Sequence, residues 1–317
     1  MVPLDDERGP VAERQGSRRD FLKTGGALSA ALLPAEASAA APPLPRIRLG
    51  KYSVSRLICG ANTFNGGSHL SVFFDQELRR YYTPEQIIKT LRRCQEVGIN
   101  CWQSGLGNLE LHRRFVDEGG KMHYLAIDPG DAASIQALAR GGCIGIAHHG
   151  EFTDRLFKKG ALDQLRDFLS RVRDTGVLVG VSTHMPAVVD AIESKGWDVD
   201  YYMTCVYERH RTAAELEKLL GQAPIPVGEV YLPLDPPRMF KAMRQTNRPC
   251  LAFKILAAGR LSQRAPWVEA AFRETFAATK PNDAVIVGMY DQYSDQPAQN
   301  AEFVRRYGAP AQTSGAE

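Results

Sequence analysis

The feature that most constrains this chain is an alternation of short β-rich runs with longer segments of helical periodicity. The runs fall at residues 56–61, 99–103, 123–128, 144–148, 178–183, 201–206, 251–254 and 284–288. Short, mostly apolar stretches of this kind read as strands buried on both faces. Parallel strands need a crossover, and the intervening segments are long enough to supply a helix each. Eight such units predict an α/β fold, a (β/α)₈ or TIM barrel, occupying residues 46–308.

The helix signals agree. Thr83-Pro84-Glu85-Gln86 places a cap, a proline in the first turn and a glutamine able to close a capping box, and Gly98 stops the helix. A second helix is expected from about Leu162 to Asp174, ending at Gly176. The prolines between 224 and 237 break the rhythm and predict an inserted loop or hairpin between the sixth and seventh units.

The first 39 residues belong to something else. Ser17-Arg18-Arg19-Asp20-Phe21-Leu22-Lys23 precedes a weakly apolar stretch and the small-residue site Ala37-Ser38-Ala39, a pattern that resembles a twin-arginine signal peptide. Its apolar stretch is far below the roughly 20 residues that span a bilayer, so no stable membrane span is expected. The reading implies passage through the Tat translocase to the periplasm or the medium. Residues 40–45, rich in Ala and Pro, then form a tether, and 309–317 a disordered tail.

The formal charge of the whole chain is +3. Removing residues 1–39 takes away five Lys/Arg and six Asp/Glu and leaves +4, too small and dispersed for a nucleic-acid footprint. Five of the six cysteines, Cys59, Cys101, Cys143, Cys205 and Cys250, lie in or beside apolar runs and read as small core hydrophobes.

Several segments together resemble the aldo-keto reductases. Val54-Ser55-Arg56-Leu57-Ile58-Cys59-Gly60 is similar to that family's opening strand, and Gly98-Ile99-Asn100-Cys101-Trp102-Gln103 to its second. Gly180-Val181-Ser182-Thr183-His184 is similar to its fifth, Asp198-Val199-Asp200-Tyr201 to the approach to its sixth, and Ile255-Leu256-Ala257-Ala258-Gly259 to the exit of its seventh. The resemblance implies the barrel and departs at the chemistry. The family's Asp, Tyr, Lys and His tetrad is reduced to His148: Gln103 stands for the Asp, Leu106-Gly107-Asn108-Leu109 offers no tyrosine, and Asp128 stands for the lysine. A carboxylate would raise the pKa of a proton-donating tyrosine where a lysine lowers it. The eighth-strand exit, 288–293, lacks the small and basic residues that hold the cofactor phosphate, so NADP binding is not expected.

In a (β/α)₈ barrel the chemistry sits at the C-terminal ends of the strands. Those ends bring His148, His184, Lys254 and Asp128 forward as candidate catalytic groups. Asn62, Gln103, Phe64, Tyr82 and Arg260 are candidates for substrate binding, in an amide-rich and aromatic setting suited to a carbohydrate-like small molecule. His148, His149, His184 and Glu208 have the ligand types for a divalent metal, with metal-free acid–base work by the histidines as the alternative. Lys254, in a largely apolar run, is either an ion-pair partner of Asp128 or Glu229, a substrate anchor, a proton-transfer group or a Schiff-base amine. The expectation is an exported non-redox enzyme acting on a carbohydrate, keto or polyol compound by lyase, isomerase or hydrolase chemistry. The alternatives are a divergent NAD(P)-dependent oxidoreductase and a non-catalytic binding barrel.

Overall fold

The structure, a computed structural model, describes residues 42–225 and 229–309. The expected signal at 1–39, and residues 310–317 of the expected tail, lie outside the described residues.

The chain begins with a hairpin that the strand reading did not anticipate: β1 (Arg46–Leu49) pairs antiparallel with β2 (Tyr52–Ser55). Gly50, at φ +57°, makes its turn, and the alternation of Ile47, Leu49 and Val54 turns one face inward. Eight parallel strands follow: β3 (Leu57–Gly60), β4 (Cys101–Ser104), β5 (His123–Asp128), β6 (Gly145–His148), β7 (Leu178–Thr183), β8 (Tyr201–Cys205), β9 (Cys250–Phe253) and β10 (Ala284–Gly288). They close in sequence order, β10 pairing with β3 to complete the barrel.

The layers outside are helical: α1 (Val72–Tyr81), α2 (Pro84–Glu96), α3 (Leu109–Asp117), α4 (Ala132–Arg140), α5 (Gly150–Lys158), α6 (Leu165–Asp174), α7 (Pro186–Ser194), α8 (Ala213–Leu220), α9 (Asp235–Gln245), α10 (Ala265–Ala278) and α11 (Gln296–Tyr307). Thr83 caps α2 by accepting the Gln86 N–H at 3.3 Å, while the Gln86 side chain donates to the Tyr81 hydroxyl instead of closing a capping box. The proline-rich stretch resolves differently from the expectation at its end, because Pro236 and Pro237 sit in the first turn of α9, where their missing N–H groups cost nothing.

Two cores result from the alternation of side chains along each strand. Ile58, Leu125, Tyr201, Met203, Leu251 and Ile286 fill the barrel, closed at one end by Ile47, Leu49 and Val54 of the hairpin. Gly180 makes room for the Tyr201 ring: a Cβ there would lie 2.3 Å from the ring. The opposite strand faces pack against the helices around Trp102, Tyr124, Val181 and Phe272. All six cysteines are buried free thiols. Part of the expected tether is tied down: Leu44 is buried, the Arg56 N–H bonds the Pro45 carbonyl at 2.8 Å, and Arg305 donates to the Pro42 carbonyl.

At the hairpin end Arg56 is buried and donates to the carbonyls of Asp283 (2.8 Å), Gly308 (2.5 Å) and Lys280 (3.0 Å), with its guanidinium over the Phe276 ring. One planar fork thereby ties three carbonyls together, of which that of Lys280 also accepts the Asp283 N–H at 3.0 Å. No helix among the described residues is long and apolar enough to cross a membrane.

Candidate active site

A cavity of about 580 Å³ opens at the C-terminal ends of the barrel strands. Asn62, Gln103, His149, Ser182, His184 and Lys254 stand at its wall, joined by Glu151 from α5 and Arg209 from the loop after β8. Of the expected catalytic groups, His184 and Lys254 therefore face the crater.

His148 and Asp128 do not line it. Successive strand residues face opposite sides, and the inward positions are Ile127 and His149. His148 instead bonds Thr153 Oγ1 at 2.7 Å and packs edge-on against Phe168 in the helix layer, where burial pushes its pKa down to about 4. The buried Asp128 carboxylate accepts the Gly130 N–H at 2.8 Å.

The centre of the site is a dyad that the strand ends alone did not reveal. Asp154, in the second turn of α5, has a side chain 2% exposed and approaches His184 Nδ1 at 2.7 Å. The same carboxylate accepts the Thr183 hydroxyl at 2.5 Å and the His184 backbone N–H at 3.1 Å. Its full set of donors fixes the carboxylate, and the carboxylate fixes the ring. On the other side Arg209 lies 3.2 Å from His184 Nε2. A guanidinium only donates, so Nε2 accepts and the ring proton sits on Nδ1 facing Asp154. Burial first, then the charge of Arg209 and Lys254, holds the His184 pKa well below the ordinary histidine value, leaving a neutral base with its lone pair toward the crater. Burial also pushes the Asp154 carboxyl up, to about 6.

Close approach makes the dyad possible. α5 starts directly against the His184 ring, and a Cβ on Gly150 would lie 3.0 Å from Ser182 Oγ and 3.1 Å from His184 Cε1. Ser182 is buried, and its hydroxyl has no hydrogen-bond partner among the described residues.

A second focus is Glu229. Its carboxylate meets Arg209 at 2.5 Å, His69 Nδ1 at 3.0 Å, Lys254 Nζ at 3.4 Å and the Tyr231 hydroxyl at 2.5 Å. Burial alone would raise its pKa, but the His69 bond, Lys254, Tyr231 and Arg209 together hold it far below the usual carboxylate range. The partner of Lys254 is thus Glu229, one of the two expected. Lys254 itself has φ +61°, a left-handed conformation costing on the order of 1–3 kcal/mol for a residue with a side chain.

The expected metal set is not assembled. Glu208 pairs with Arg211 at 3.2 Å and Arg238 at 2.6 Å, in a cluster with Asp235, and His148 faces the helices. A different trio, Asp154, His184 and His210, brings one ligand atom each to within 4.8 Å of one another, and Glu151 lies 3.1 Å from His210 Nε2. That donor set suits a divalent ion, although in this arrangement the His184 Nδ1 proton faces the Asp154 carboxylate.

Among the expected binding residues, Asn62 and Gln103 reach the cavity. Phe64 and Tyr82 are core: their rings lie 4.7 Å apart, and the Tyr82 hydroxyl donates to the Met289 carbonyl. Arg260 clasps loops, bonding the His69 and Glu229 carbonyls and covering the Tyr231 ring at 4.2 Å.

The fold and its crater define a (β/α)₈ protein with a buried Asp–His pair at the mouth. Residues 17–35 match the twin-arginine translocation pathway signal sequence, and the chain is exported by that route through the Tat translocase. No curated protein matches it. Among solved structures it is similar to a glycerol dehydrogenase from Gluconobacter oxydans, at 13% identity over 86% of this chain and 99% of that one, with a TM-score of 0.48. It is also similar to a truncated 3-deoxy-D-arabino-heptulosonate 7-phosphate synthase from Thermotoga maritima, at 14% identity over 84% and 91%, again with a TM-score of 0.48. These likenesses concern the barrel alone.

Proposed function

We propose that this is an exported non-redox enzyme of aldo-keto reductase-like barrel type that moves a proton on a small keto or polyhydroxylated compound, by lyase, isomerase or hydrolase chemistry. The observation that carries the reading is the orientation of His184: Asp154 holds Nδ1 at 2.7 Å and so directs the other ring nitrogen to the crater. A general base needs that geometry, a fixed neutral imidazole within reach of the substrate. Arg209 covers Nε2, but it also has Glu229 and Glu151 as partners, so a substrate oxygen can draw it aside.

The surroundings support a polar small molecule. The cavity volume falls in the range of small-ligand sites, amides at Asn62 and Gln103 suit hydroxyl groups, and the Arg209 guanidinium suits a carbonyl oxygen or carboxylate. The hydride-transfer alternative is weakened by the same residues. Lys254 donates to Glu229, not to a tyrosine, and Asp128, at the position of the family's lysine, does not line the cavity.

The test is solvent exchange. Dihydroxyacetone, glyceraldehyde and xylulose incubated in D₂O with the enzyme should lose the proton signal next to the carbonyl, and His184→Gln should lose this activity. Exchange by His184→Gln at the wild-type rate, or none with any of the three compounds, contradicts the reading.

A further inference from the structure

We propose that Lys254 acts covalently: its Nζ condenses with the carbonyl of a small ketone or aldehyde, and the reaction proceeds through that imine. The inference rests on the acid–base reading above and narrows its substrate class to compounds with a free carbonyl beside the C–H or C–C bond that changes.

Position supports this first. Lys254 follows β9 directly, lines the crater and has a side chain only 7% exposed. Its left-handed backbone is unfavourable for any residue other than glycine, so the fold holds this side chain at the mouth against a local cost. A surface lysine serving as a general anchor would need neither burial nor strain.

Charge supports it second. One carboxylate, Glu229, is shared between two cations, and its contact to Lys254 at 3.4 Å is longer than its contact to Arg209 at 2.5 Å. Arg209 also has Glu151 at 3.7 Å, so Lys254 is the less well paired of the two. The guanidinium keeps its proton under all physiological conditions, so of the two groups only the ammonium can give one up. Burial first, and then Arg209, lowers the Lys254 pKa against the opposing pull of Glu229. The neutral amine is the nucleophilic form.

The neighbours complete the chemistry. The amine lone pair adds to the carbonyl carbon, one amine hydrogen and one proton from the solvent leave with the carbonyl oxygen as water, and the nitrogen keeps its second hydrogen, forming a protonated C=N. Ser182 Oγ, buried on the same cavity without a partner, is available to bond the departing oxygen. The protonated imine then accepts the electron pair of the adjacent bond as His184 Nε2 takes the proton, and water reverses the condensation to release product.

Reductive trapping tests the adduct without relying on turnover. The full chain is incubated separately with pyruvate, dihydroxyacetone and glyceraldehyde in the presence of sodium cyanoborohydride. With at least one probe, intact mass should rise by one substrate less one oxygen atom, and peptide mapping should place the adduct on Lys254 in preference to the exposed Lys121 and Lys218. No adduct on Lys254 with any probe, or equal modification of the exposed lysines, overturns the proposal. The two readings fail separately. An unmodified Lys254 alongside His184-dependent proton exchange removes the imine and leaves the base, whereas a Lys254 adduct with exchange unaffected by His184→Gln removes the base and leaves the imine.

Discussion

Asp154 and His184 come from neighbouring units of the barrel and meet at 2.7 Å, with the carboxylate side chain 2% exposed and the imidazole 5%. Three donors from β7 and the residue after it converge on that carboxylate: the Thr183 hydroxyl, the His184 backbone N–H and His184 Nδ1.

Asp154→Asn places an amide beside Nδ1, and its N–H₂ can stabilise the wrong tautomer of the ring. Proton exchange should fall by roughly 10⁴-fold, the scale seen when an orienting Asp of a catalytic triad is made Asn. Circular dichroism should report a folded barrel. Exchange within a few-fold of wild type would show that the carboxylate does not orient the base.

Gly150→Ala tests the close approach. The added methyl must displace Ser182 Oγ or the His184 ring, from which it would lie 3.0 and 3.1 Å. A displacement of that kind should cost about 10²-fold in exchange rate. Because glycine at the start of a helix gains little from its flexibility, the melting temperature should change by only a few degrees. A large loss of stability with unchanged exchange would contradict this view of the contact.

Burial sets an acid limit on stability through His148. Its pKa is about 4 in the fold against an ordinary 6.5, so between those values the unfolded chain binds the additional proton. The contribution is fully present above about pH 6.5 and is lost as pH falls toward 4, by up to about 3 kcal/mol. Asp154, raised to about 6 by burial, works in the opposite sense over the overlapping range and offsets part of this loss. Denaturant unfolding measured from pH 7 to pH 4 should show a shallower decline for His148→Gln than for wild type. Equal slopes would contradict a neutral, buried His148.

Arg56 belongs to the other end of the barrel. Arg56→Met leaves three carbonyls without their shared donor and should destabilise the fold by about 3 kcal/mol. Proton exchange per folded molecule should remain at the wild-type level, since no mouth residue touches this side chain. Loss of exchange in protein that remains folded would show that the two ends are coupled.

The barrel was legible because its signals are local. Strands at His123–Asp128, Leu178–Thr183 and Ala284–Gly288 match the sequence reading residue for residue, and the others differ only at their ends. β-branched runs, caps and stop glycines specify such elements without reference to distant residues. The hairpin was missed although Ile47, Leu49 and Val54 alternate around Gly50-Lys51, a signal of the same kind.

The site was half legible. Strand ends located His184 and Lys254, but whether a strand residue faces in or out depends on register, and a shift of one residue exchanged His148 for His149. Asp154 and Glu151 lie beyond the strand end, three residues apart on the first turns of α5, so they share a face of that helix. That spacing was present in His149-Gly150-Glu151-Phe152-Thr153-Asp154, whereas the partnership with His184 is a tertiary contact across 30 residues. Arg209 and His210, in the charged run after β8, were visible only as composition.

The most direct test of the central claim is the protonation state of His184, read from ¹⁵N chemical shifts in long-range ¹H–¹⁵N correlation spectra of the labelled protein at neutral pH. The account predicts a neutral ring with a bare, pyridine-like Nε2 and the proton on Nδ1, a pattern lost in Asp154→Asn. An imidazolium, or a proton on Nε2 with Nδ1 bare, would contradict it.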